Sequence, residues 1–205
     1  MDTETLLTTT RSVRRKLDLE RPVPREVIAD CLRVAQQAPA AGGLLTAQRW
    51  IAVTDPEIRA EVAPLVQQAA HAAWAQYADL VDSSMFVSAR HLVDHIGRVP
   101  ALVIPCMPGR PPTEPAEQSS YYGSIYPAIW SFQLALRTRG LASSMCSYHI
   151  AGHEEDVAKL LGIPEGFTQI GLLAVAYSKQ AEFSPAARPP VEDILSFDTW
   201  AGPRR

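Results

Sequence analysis

The sequence is short of cysteine, of positive charge and of long apolar runs, and each shortage closes a class of function. Its three cysteines, Cys31, Cys106 and Cys146, are odd in number and far apart, which fits reduced thiols better than a disulfide framework. None of them is given a redox role. The longest apolar stretches, such as LASSMC at 141–146 and IGLLAVAY at 170–177, fall far short of the roughly 20 residues that a spanning helix needs. Nineteen Lys and Arg against 22 Asp and Glu leave a net charge of −3, without the basic footprint that nucleic-acid binding requires. The start, MDTETLL, carries acidic residues where a secretory leader carries basic ones. Together these features predict a cytoplasmic protein with neither a nucleic-acid nor a membrane partner.

Metal and dinucleotide motifs are lacking too. His91 and His95, and again His149 and His153, stand four apart, a spacing that places two ligands on one helix face. Neither pair has a third ligand at a motif spacing and HExxH is absent, so no metal is expected. No G-x-G-x-x-G follows a predicted strand, which leaves no separate nucleotide-binding unit.

What is present is material for one globular domain over residues 1–205, 47% of it hydrophobic, enough for a sizeable core. Val27, Ile28, Cys31, Leu32, Ala35 and Ala38 form a helical stripe over 24–38, with Pro24 suited to the first turn. The runs Trp50–Val53 and Ala101–Cys106 read as strands buried on both faces. PGRPPTEPAEQSS at 108–120 reads as an exposed loop. From Pro127 to Arg139 apolar residues lie almost all round a helix, with Gly140 placed as its C′ cap. Such a helix needs cover on every side, supplied either by a second subunit or by a monomer's own core.

Residues 56–98 read as helical, with Trp74, Tyr77, Met85 and Phe86 available either as a cover over a binding site or as ordinary core packing. At the N-terminus, TTTRSVRR at 8–15 gathers hydroxyls with Arg11, Arg14 and Arg15. Forked guanidinium donors, the Ser12 hydroxyl and turn N–H groups are what a phosphate monoester needs; a solvated basic terminus is the plainer reading.

That run, followed by PVPREVIADCLRVAQQAP, RWIAVTDP, VPALVIPC, YPAIWSFQLALRTRGL into ASSMCSY, LLGIPEGFTQIGLLAVAY and ARPPVEDI, resembles the nitroreductase family of FMN-dependent oxidoreductases in block order. The resemblance covers nearly all of the chain except 57–99 and 107–122. It implies an α+β fold, a three-layer sandwich with a mixed central sheet flanked by helices, in an intertwined homodimer that uses FMN with NADH or NADPH. It also implies that Arg11, Ser12, Arg14 and Arg188 hold the flavin phosphate, that Met145, Cys146 and Ser147 line the ring, and that Trp74, Tyr77, Met85 and Phe86 cover the substrate. Thr10 stands where many members carry a further arginine, which shifts work onto Arg11 or Arg15.

No catalytic side chain is expected, because the isoalloxazine carries hydride and electrons while the protein binds and tunes it. The implied reaction takes hydride from NAD(P)H and reduces a small-molecule acceptor, nitroaromatic, quinone or otherwise conjugated, by ping-pong exchange. One stretch departs from the family. Where many members have a serine and an asparagine, this chain has PAAGGLLTAQ at 39–48, and glycine N–H groups, Thr46 or Gln48 would have to replace the lost contacts. The alternatives are a flavin-sequestering protein with little turnover, a flavin-dependent oxidase or dehalogenase of a specific metabolite, and a cofactor-free dimeric scaffold.

Overall fold

Alternation along one strand organises the fold seen in the computed structural model, which describes residues 1–44, 46–75 and 84–200. In strand β2 (Ala101–Pro108), Leu102, Ile104 and Cys106 enter one apolar cluster, and Ala101, Val103 and Met107 enter another. That is the period-two alternation of a strand covered on both faces. Helices α3 (Pro56–Ala75), α4 (Ser84–Asp94) and α6 (Glu154–Leu161) supply the first cluster with Val62, Val66, Leu92 and Val157. Helices α2 (Arg25–Ala35) and α5 (Pro115–Arg137) supply the second with Ile28, Cys31, Ile125 and Phe132. The result is three layers, with the sheet in the middle.

The sheet runs β1 (Arg49–Val53), β2, β5 (Leu172–Tyr177), β3 (Leu141–Cys146), and the short β4 (Phe167–Gln169) also pairs with β2. The expectation of a mixed sheet needs correction. Every ladder among the described residues is antiparallel, and parallel pairing is confined to a single bridge between Ser12 and Ser143. The cause is strand order. β2 and β3, joined through α5, do point the same way, but β5 inserts between them and is antiparallel to both.

Two further expectations change. β2 is buried on both faces, but β1 is an edge strand whose Arg49 and Ala52 are exposed. The stretch 108–120 is not all loop: α5 begins at Pro115, with the Glu114 carboxylate accepting from Glu117 N at 3.0 Å. Proline at a first turn costs no hydrogen bond, so the proline-rich segment conceals a helix start. Farther along, Pro127 lies inside α5, where it removes one backbone bond. Burial of Ile125, Ala128, Ile129 and Phe132 around it holds the helix together.

The opposite side of α5 is less covered, with Tyr126 and Trp130 exposed. Past β5 the chain carries Val191, Ile194, Leu195, Phe197 and Trp200, all exposed, Trp200 to 93%.

Candidate functional site

The N-terminal run leaves helix α1 (Thr3–Thr9) and becomes a one-residue parallel extension of the sheet edge. Val13 N donates to the Ser143 carbonyl at 3.0 Å, and Val13 and Leu17 sink into the core. Their burial turns the flanking Ser12 outward, exposed, and leaves Arg14 half-buried. Burial holds the Cys146 thiol up at about 11, against smaller lowering effects from a hydrogen bond with the Tyr148 backbone and then from the charge of Arg14, which the same extended backbone brings to the end of β3. Ser12 and Arg14 thus border the stretch expected at the ring.

Arg11 has other partners. Its guanidinium donates to the Thr10 and Thr8 carbonyls, both at 2.7 Å, and to the Ser184 carbonyl at 2.8 Å. It caps the end of α1 and pins the C-terminal segment beside the N-terminal run. Arg188, four residues beyond Ser184, is exposed and donates to its neighbour Ala187's carbonyl at 3.1 Å. The structure does not bring it against Ser12 or Arg14.

Met145 and Cys146 close the β3 ladder opposite Leu173 and Leu172. Beside them the sheet is irregular. Cys106 faces Gln169 while Val103 faces Leu173, so three residues, 170–172, oppose two, 104–105, which is a β-bulge. Gly171 sits in that bulge, and a Cβ there would overlap Met145 Cε and stand 3.1 Å from the Cys146 carbonyl oxygen. Ser147 follows, exposed, and the chain then makes a tight turn at Tyr148–Ile150. Ser147 and Ile150 line a cavity of about 740 Å³, together with Tyr122 and Tyr126 of α5, Arg110 and Gln169. That volume is ordinary for a small-molecule site.

Of the expected cover residues, Trp74 is buried rather than facing a substrate space. Its Nε1 donates to Tyr148 Oη at 3.2 Å, and its ring packs on Phe86 and Tyr148. Trp74 and the half-buried Phe86 therefore belong to a small aromatic core next to the ring-side turn. Met85 is 66% exposed; Tyr77 lies outside the described residues. In the divergent loop, Ala41 N donates to Ser124 Oγ at 2.9 Å, and Gln48 Oε1 accepts from Trp50 Nε1 at 2.9 Å. The Gln48 carbonyl is thus engaged within the chain.

His91 and His95 stack with ring centroids 4.5 Å apart, and burial first, then the charges of His95 and Arg15, lower the His91 pKa. No group of three or more possible metal ligands occurs among the described residues, and none of their helices is long and apolar enough to cross a membrane.

Sequence reasoning missed Gly171, whose demand is for space that no spacing rule encodes. It also missed a polar chain that runs from the buried His149 out to the exposed Arg110: His149 Nε2 to Gln169 Oε1, Gln169 N to Glu154 Oε1, and Arg110 Nη1 to Glu154 Oε2, at 3.1, 3.0 and 2.6 Å. Nothing in the apolar periodicity marks a histidine for burial.

Residues 7–177 match the family model described as Nitroreductase, the nitroreductase family. Several solved structures share the fold. A nitroreductase-like family protein from Bacillus cereus is 17% identical, with 96% of each chain covered and a TM-score of 0.71. The FMN and NADPH-dependent nitroreductase NfnB from sphigopyxis sp. strain HMH is 19% identical, covering 98% of this chain and 100% of its own, with a TM-score of 0.71. The NADPH:FMN oxidoreductase from Vibrio harveyi, complexed with NAD+, is 14% identical, covering 97% of this chain and 78% of its own, with a TM-score of 0.70. None of the curated proteins matches the chain.

Proposed function

This chain belongs to the nitroreductase family, and on that premise we propose that it is a cytoplasmic FMN-dependent oxidoreductase, residues 1–205 forming one domain and two copies forming an intertwined homodimer. It takes hydride from NADH or NADPH and passes it to a nitroaromatic, quinone or other conjugated small-molecule acceptor. The observation that carries the reading is the Ser12–Ser143 bridge, which sets Ser12 beside Ser143 and carries Arg14 toward Cys146 at the end of the same strand. A phosphate clamp and a flat ring-side wall then share one sheet edge.

The residues present fit FMN. Gly171 keeps the wall at Met145 and Cys146 low where any side chain would intrude, and a flat ring needs that close backbone approach. Bound there, FMN supplies the hydride and electron chemistry. Ser12 and Arg14 hold its phosphate by hydroxyl and charge-assisted donors, joined by Arg188 when the tail closes over them. Arg11 contributes by fastening that tail at Ser184. Met145, Cys146 and Ser147 face the ring and Met85 lies toward the acceptor, with Phe86 and Trp74 packed together in the core next to it. No side chain is assigned proton or hydride transfer, and no metal takes part.

The second copy covers the exposed Tyr126 and Trp130 face of α5. The cavity beside Ser147 is walled by Tyr122 and Tyr126, so the same contact closes the site. With more than half of each side chain already covered, burying the remainder contributes on the order of 1 kcal/mol each.

The visible absorption spectrum of the freshly purified protein, followed by anaerobic addition of NADPH and then NADH, tests this. Bound flavin that bleaches is the expected result. Flavin that stays yellow identifies a sequestering protein, and a colourless protein that takes up no FMN overturns the reading.

A further inference from the structure

We propose that His149 is a positioning residue for the flavin site: its buried ring ties the turn at Tyr148–Ile150 to Gln169 of β4, and so fixes where Ser147 stands beyond the end of the β3 ladder. The inference rests on the flavin reading of the same site.

His149 is fully buried, with Nε2 3.1 Å from Gln169 Oε1. The orientation of the Gln169 amide is determined by its other bonds. Its Nε2 donates to the Glu154 carbonyl at 2.7 Å, and a flipped amide would set two oxygens against each other. Oε1 can only accept, so His149 carries its hydrogen on Nε2. The other nitrogen, Nδ1, is then a buried acceptor with no partner among the described residues. Leaving it so is costly, and the donor at Nε2 is the return on that cost.

The turn is held from the other side as well. Tyr148 Oη accepts from Trp74 Nε1 of α3, so consecutive residues of one turn are anchored to a covering helix and to the sheet. Ser147, between this clamp and the end of β3, is exposed. Its carbonyl accepts from Ile150 N at 3.1 Å, so Ser147 moves with the turn, and residues that orient a binding wall in this way set geometry without touching the ligand.

Two variants of the full-length, FMN-loaded protein test the assignment. His149→Leu removes the donor, and His149→Gln returns an N–H of similar reach. With far-UV circular dichroism matching the parent, His149→Leu should shift the visible flavin band and raise the FMN dissociation constant by about tenfold, as losing one buried hydrogen bond would. His149→Gln should restore most of both. A folded His149→Leu protein with the parent's flavin band and FMN affinity overturns the proposal. Should His149→Leu fail to fold, the parent itself decides. Its His149 Nε2–H resonance is expected to move on FMN loading, and an unmoved resonance refutes the assignment. A parent that never takes up FMN defeats the flavin reading and this inference with it, whereas a parent that binds FMN beside an indifferent variant defeats the inference alone.

Discussion

Gly171 lies against Met145 with no room for a side chain between them: a Cβ would overlap Met145 Cε and stand 3.1 Å from the Cys146 carbonyl oxygen. The methionine end can swing away, but the carbonyl belongs to the β3 backbone and moves only with the strand. Gly171→Ala should therefore destabilise the protein by about 1–3 kcal/mol, the usual cost of overpacking. It should also weaken FMN retention, because the displaced atoms form the ring-side wall. Thermal melts with and without FMN measure both effects, and a Gly171→Ala protein that keeps the parent's FMN affinity would remove the wall from that position.

Arg14 and Arg11 look equivalent in sequence but not in the fold. Arg14 acts on Cys146, whereas Arg11 is spent on three carbonyls. Arg14→Ala should raise the FMN dissociation constant by about 10- to 100-fold, the loss of a charge-assisted contact worth about 1.5–3 kcal/mol. Arg188→Ala should also raise it, since Arg188 joins the phosphate clamp, and an unchanged affinity would remove Arg188 from that clamp. Arg11→Ala should instead loosen the segment around Ser184, seen as faster proteolysis of the C-terminus. FMN titrations on the three variants separate the roles, and equal losses for Arg11 and Arg14 would contradict the division.

The uneven legibility of this chain has physical causes. The stripe through Ile28, Cys31 and Ala35 is read directly, because a helix that buries one face repeats every three to four residues and those three are the buried ones. Pro115 hides the start of α5, since proline fits a helix's first turn as well as a loop. The all-round apolarity from Pro127 onward correctly marks a helix with two faces to cover, one of which this chain leaves open at Tyr126 and Trp130. The site divides similarly. Ser12 and Arg14 carry a residue-level signal, whereas Gly171 and His149 owe their roles to neighbours far away in sequence.

Trp130 tests the open face. It is 41% exposed in the single chain, and Trp130→Glu would set a charge where a second copy should pack. Sedimentation should show the parent as a dimer and the variant shifted toward monomer, with flavin lost in parallel because the cavity at Ser147 is walled by the same helix. A parent that sediments as a monomer while retaining FMN would rule out subunit cover of the site.

His149 also makes the fold sensitive to acid. Burial lowers its pKa from 6.5 to about 4, against smaller upward pulls from the Gln169 bond and the Glu154 charge. The unfolded chain, with an ordinary histidine, binds the proton more readily than the folded one, so stability rises with pH across this interval. The contribution is fully present above pH 6.5 and is lost as the pH falls toward 4, amounting to about 3 kcal/mol at the bottom of the window. Denaturant unfolding of the FMN-free protein at several pH values between 7.5 and 4 should show that slope, and His149→Gln, which has no proton to gain, should be flatter by the same amount. Parallel curves for parent and variant would mean that His149 is not the group being titrated, and the acid sensitivity would then belong to the carboxylates around it.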